Sequence, residues 1–141
     1  MSGAGDYVHY KNLYSDKTTD AEILVGTTAL ANVIAPKSSS HQIWIQKITL
    51  SITTHFATTA TFDDDGSGAV VAQHTDAAAG AGVLSVVVWD FGPKGTPLTV
   101  GANLDIAIGS AGLVARVHIE AYEKLGATVA AFGATPVGAN Q

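Results

Sequence analysis

Apolar and polar residues alternate along most of the chain, the spacing of strands that bury one face. Over 41–54, Ile43 and Ile45 share one parity, while Ile48, Leu50 and Ile52 share the other. A one-residue slip would turn half of that apolar set toward water. A β-bulge or a sheet-to-sheet corner is therefore predicted near Gln46 and Lys47. Leu104, Ile106 and Ile108 alternate with Asn103, Asp105 and Ala107, and Leu113 to Ala121 alternates with Val114 to Tyr122. Further strands are predicted over 57–62, 69–73 and 83–91, set apart by an acidic turn at 63–68 and a small-residue loop at 77–82. Two short apolar pieces, 21–25 and 29–34, come earlier, followed by Pro36 and a serine loop.

This pattern gives about eight strands and no amphipathic helix. The connections are too short for parallel crossovers, so the sheets should be antiparallel. The expected fold is all-β: an antiparallel two-sheet sandwich, jelly-roll-like, with extended N- and C-terminal arms. Residues 1–20 are read as an N-terminal arm, 21–125 as the sandwich and 126–141 as an extended tail rich in Ala and Gly. The tail carries no charged side chain. Tyr7, Tyr10 and Tyr14 have helical spacing, but eight residues make a marginal helix, so an extended arm is expected there.

Composition narrows the function. Apolar residues make up 47% of the 141, charged residues only 13%, and mean hydropathy is +0.26, which argues against disorder. Thr, Val and Ile together supply 38 residues, a β-branched share that suits strands. The formal charge of −5 and the absence of any Lys or Arg cluster exclude nucleic acid as an expected partner. With no cysteine, disulfides, thiolate chemistry and Cys-ligated metals are excluded. Met1 to Asp6 lacks a basic and then apolar run, so no secretory leader is expected. No apolar stretch approaches the ~20 residues of a membrane span, so no membrane partner is expected.

Each candidate chemistry has a simpler alternative. Asp63, Asp65, Ser67 and Gly68 match the opening of a calcium loop, but His74 stands where the bidentate Glu belongs. A plain hairpin turn is the better reading, with a weak surface Ca²⁺ site at Asp63 and Asp65 as the alternative. None of His9, His41, His55, His74 and His118 forms a local metal-binding pair, although His55 and His118 could meet across strands. Asp90-Phe91-Gly92 lacks every other part of a kinase, and Gly109-Ser110-Ala111-Gly112 reads as a turn, not a nucleophile elbow. No catalytic residue, cofactor or metal is expected, and the chain is read as a non-enzyme. Two interaction features stand out. The arm tyrosines Tyr7, Tyr10 and Tyr14 suit protein–protein contacts, because tyrosine joins a large apolar ring to a polar tip. Trp44, Trp89 and Tyr122 are the aromatic candidates for a glycan site.

The segments "HQIWIQKITLSIT", "ATFDDDGSG", "PLTVGANLDIAIGSAG" and "VARVHIEAYEKL" together resemble a recurring type of small bacteriophage virion protein. The resemblance covers about 85 residues, from His41 to Leu125. It implies a jelly-roll capsid decoration, or cement, protein. Such a protein would be made in the host cytoplasm and sit on the capsid surface as a homotrimer, with a terminal arm reaching the major capsid protein. The alternative it leaves is a carbohydrate- or receptor-binding module of a phage tail or head fibre.

Overall fold

The structure, a computed structural model, describes residues 15–23, 29–77 and 84–126. Nine strands lie among these residues: β1 (Ser15–Ile23), β2 (Ala29–Ile34), β3 (His41–Thr54), β4 (Thr59–Asp64), β5 (Val70–Thr75), β6 (Ser85–Asp90), β7 (Thr96–Pro97), β8 (Leu104–Ile108) and β9 (Val114–Leu125). One sheet has the order β1-β9-β3-β6, with the two-residue β7 also on β3, and the other has the order β2-β8-β4-β5. All pairs are antiparallel.

That order has a simple origin. The pairs β1–β9, β2–β8, β3–β6 and β4–β5 are the rungs of one long hairpin. The pairs β9–β3 and β8–β4 then wrap the hairpin around itself. The result is a jelly roll, as the alternation and turn spacing predict.

The core lies between the sheets and follows the alternation. Ile43, Ile45, Ile48, Leu50 and Ile52 of β3 are fully buried. Across the β3–β9 ladder the large pairs Ile48–Ile119 and Leu50–Val117 are flanked by Ile45 facing Ala121 and Ile52 facing Ala115. Phe62 of β4 crosses to the opposite sheet and meets Trp89 of β6 edge-on, with centroids 5.6 Å apart. At the end of β9 the inward position holds Glu123, 2% exposed, whose carboxylate accepts the Lys37 N–H at 2.9 Å and ties down the loop before β3.

The predicted bulge is present. The β3–β9 register shifts between Ile45 and Lys47, leaving Gln46 as the extra residue. β9 does not require it, because removing one residue would leave Ile43 to Ile52 on a single parity. The bulge serves β3's other edge, where Lys47 to Ile52 pair with β6 and Trp44 and Ile45 pair with β7. At the junction the Gln46 carbonyl accepts the Phe91 N–H, and its side-chain amide donates to the Pro93 carbonyl at 2.7 Å. Gly95 completes the corner at φ +78°, where an added Cβ would stand 2.7 Å from the Ile45 carbonyl oxygen. Deleting Gln46 is therefore expected to leave the β3–β9 ladder paired while detaching the 91–97 corner. The two lost hydrogen bonds set a cost of about 1–3 kcal/mol. The check is a lowered thermal midpoint with an unchanged far-ultraviolet strand spectrum.

Two expectations need correction. The arm was placed at 1–20, yet Ser15 to Asp20 belong to β1 and pair in register with Glu123 to His118. The run Ser15-Asp16-Lys17-Thr18-Thr19-Asp20 carries no apolar alternation, because β1 is an edge strand whose pairing comes from backbone hydrogen bonds. Trp89 is also on the core side of its sheet, packed against Phe62, and so cannot join Trp44 on the outer face.

Candidate functional site

The outer face of the β1-β9-β3-β6 sheet gathers the most chemistry around the bulge. Trp44 and Tyr122 are cross-strand neighbours with planes 7° apart and centroids 6.1 Å apart. The Lys124 ammonium lies 4.6 Å from the Trp44 ring centroid and that of Lys94 lies 5.9 Å away, both within cation–π range. The Tyr122 hydroxyl donates to the Lys94 carbonyl at 2.6 Å, which fixes the 92–95 turn over the face. The Trp44 indole N–H is buried and has no hydrogen-bond partner among the described residues. Beside the rings is a shallow depression of about 260 Å³ lined by Gln46, Lys47, Asp90, Gly92, Pro93 and Glu120. Lys47 and His118 flank Glu120 at 4.0 and 3.9 Å. Of the three aromatics read as a glycan site, the fold thus brings two together.

The acidic turn is organised by Asp64, the residue the calcium-loop reading passed over. Its carboxylate accepts the Thr99 hydroxyl at 2.8 Å, the Thr99 N–H at 2.9 Å, the Gly66 N–H at 3.0 Å and the Ser67 hydroxyl at 3.0 Å. Burial alone would raise its pKa, but the bonds from Thr99, Gly66 and Ser67 hold it below the ordinary carboxylate range. Gly66 is needed for close approach, since a Cβ there would fall 2.7 Å from that of Thr99. Asp63 instead lies opposite Asp105 on β8. Its pKa is raised by partial burial and then by the negative charges of Asp105, Asp65 and Asp64. Among the described residues no group of three His, Asp or Glu is placed to hold a metal ion.

His55 turns to Asp76, and His118 lies on the outer face of β9 opposite Thr49. The buried Asp76 carboxylate accepts from His55 Nδ1 at 2.9 Å, the Phe56 N–H at 3.0 Å and His74 Nε2 at 3.3 Å. Burial pushes this carboxyl up, and the bonds from His55, Phe56 and His74 more than offset that, so its pKa is lowered. The Asp76 N–H to Thr58 carbonyl bond closes the cluster at the root of the β5–β6 connection. Nothing in the spacing of residues 55, 74 and 76 announces it except the His74-x-Asp76 pair, because β4–β5 pairing is what brings the two halves together.

Ser15 and Gly126, the first and last described residues, lie at one pole. Ser15 at the start of β1 is opposite Glu123, and Gly126 just after β9 donates its N–H to the Ser40 carbonyl. Tyr7, Tyr10 and Tyr14, and the tail after Gly126, lie outside the described residues.

No protein-family model matches the chain, and no curated protein does. Among solved structures, a capsid structure of Helicobacter pylori bacteriophage KHP30 is similar at 12% identity and a TM-score of 0.45, over 76% of this chain and 86% of that one. The Bacillus endospore appendage pilus is similar at 12% identity and 0.42, over 80% and 88%. The Tobacco streak virus coat protein dimer is similar at 15% identity and 0.41, over 82% and 87%.

Proposed function

We propose that the chain is a non-catalytic structural protein of a virion, a decoration protein that binds the outer surface of an assembled capsid as a homotrimer and stabilises it through contacts with the major capsid protein. The supporting observation is that Ser15 and Gly126, the first and last described residues, lie at one pole of a jelly-roll body. Segments attached at the same pole can engage one neighbouring surface together, and the sequence resemblance implies the same use. Stabilisation would follow from mass action, since a subunit that binds only the assembled shell favours it. Three linked attachments would multiply individually weak contacts.

The arm test must respect the corrected boundary. Removing residues 1–14, and with them Tyr7, Tyr10 and Tyr14, is expected to abolish co-sedimentation with capsids while the thermal midpoint stays within a few degrees. Removing 1–20 would also strip two thirds of β1 and confuse binding with unfolding. Removing 127–141 examines the other end in the same assay. Undiminished co-sedimentation of both truncations would refute arm-mediated attachment.

A second reading is glycan recognition, favoured by the Trp44–Tyr122 stack beside the 260 Å³ depression. Glycan-array binding that disappears in Trp44→Ala would replace the decoration reading with this one.

A further inference from the structure

Among the described residues, β6 ends its sheet with a free edge. The Phe91 N–H to Gln46 carbonyl bond sets its alternation. With Lys47 opposite Asp90, the backbone groups of Ser85, Val87 and Trp89 face β3, and those of Val86, Val88 and Asp90 point outward. Leu84, Val86 and Val88 are 63%, 55% and 51% exposed. Leu84 to Trp89 contains no charge and no proline, and the β3–β6 register contains no bulge, so the usual guards against edge pairing are missing.

We propose that β6 is a contact between two copies of this chain, the free edge of one pairing antiparallel with β6 of the second about a two-fold axis. Sheet geometry restricts the register. Paired residues must share a face, and only the arrangement with Val87 on the axis pairs the whole stretch from Leu84 to Asp90. Val86 then exchanges both backbone hydrogen bonds with Val88 of the second copy. The four exposed valines meet on the outer face as one apolar strip. The charges fit as well. Each Asp90 falls opposite Leu84 of the second copy, the two Asp90 side chains lie at opposite ends, and each keeps Lys47 of its own copy as cross-strand neighbour. A second copy therefore presents the same uncharged edge, in matching length, with no like charges opposed. This contact is additional to the threefold association proposed above and requires no capsid.

The absence of cysteine makes the register directly measurable. On the axis, Val87 faces its copy as a non-hydrogen-bonded pair, with a Cα separation of about 4.5 Å, inside the range a disulfide spans. Val87→Cys under mild oxidation is expected to give a linked dimer at least tenfold faster than Gln73→Cys on β5, an edge strand of the other sheet. Adding Val86→Lys and Val88→Lys is expected to abolish the link. Should Val87→Cys perturb folding, Val86→Cys mixed with Val88→Cys is expected to cross-link where either protein alone does not. Equal rates for Val87→Cys and Gln73→Cys, or a Val87→Cys link indifferent to the lysines, would overturn the proposal. So would cross-linking of Val86→Cys alone as fast as the mixture. Loss of capsid binding with the cross-link intact would count against the decoration reading and leave this one standing.

Discussion

Phe62→Ala is expected to lower the unfolding free energy by about 3–5 kcal/mol, the usual range for deleting a buried ring. Phe62 is fully buried at the centre of β4, with Ile106 in register on one side and Ala72 on the other. Its ring also bridges the two sheets, edge-on to Trp89. Truncation would leave a cavity between sheets whose positions are fixed by their own ladders, so collapse around it would be incomplete. It would also strand Trp89 at the edge of its sheet. A domain of this size has roughly 5–15 kcal/mol of stability in total, so the loss is a large fraction of it. The thermal midpoint should fall on the order of 10–20 °C. Urea unfolding of Phe62→Ala and Phe62→Leu gives the measurement, with the leucine variant keeping more than half of the difference. A cost under 1 kcal/mol for the alanine variant would mean that the inter-sheet layer is not the core described above.

The sequence was legible where burial imposes alternation. Ile43 to Ile52 and Leu113 to Ala121 announced both their strands and the bulge, because a two-sided sheet tolerates no other phase. β1 was illegible for the complementary reason: backbone pairing with β9 requires no apolar alternation, and Ser15 to Asp20 have none, so they read as arm. Trp89 was misplaced because β6 is Val-rich on both parities, and only the Phe62 contact tells inside from outside. The buried carboxylates were the harder case. In the run Asp63-Asp64-Asp65, strand parity singles out Asp64 as the inward residue on the face of Ala60 and Phe62, a signal that was available and outweighed by the calcium-loop spacing. The His55–Asp76–His74 cluster depends on pairing between strands distant in sequence, which no local pattern encodes.

Asp64→Ala is expected to cost about 3 kcal/mol at neutral pH, and its effect should fade in acid. The carboxylate is an acceptor for donors from two segments, Gly66 and Ser67 of its own turn and Thr99 of the loop before β8. Hydrogen bonds to a charged group contribute roughly 1.5–3 kcal/mol each when whole. Stranded donors carry a further penalty, offset here by water reaching the loop surface. Asp64→Asn would preserve the shape but, in either amide orientation, direct its NH₂ group at one backbone N–H donor, that of Gly66 or that of Thr99, so it should recover less than half of the loss. The pH dependence follows from the direction of the shift. The folded pKa of Asp64 lies below the ordinary value of 3.8, so the folded state favours the ionised form. Its contribution is complete above about pH 5 and is lost as pH falls through 3.8 toward the folded pKa. Asp76 shifts in the same direction and adds to the acid limb. The gap in urea-unfolding free energy between the parent and Asp64→Ala should therefore be widest at pH 7 and at least halved by pH 2.5. A gap that stays constant across that range would assign the loss to packing, and one that widens in acid would reverse the direction assigned to this carboxylate.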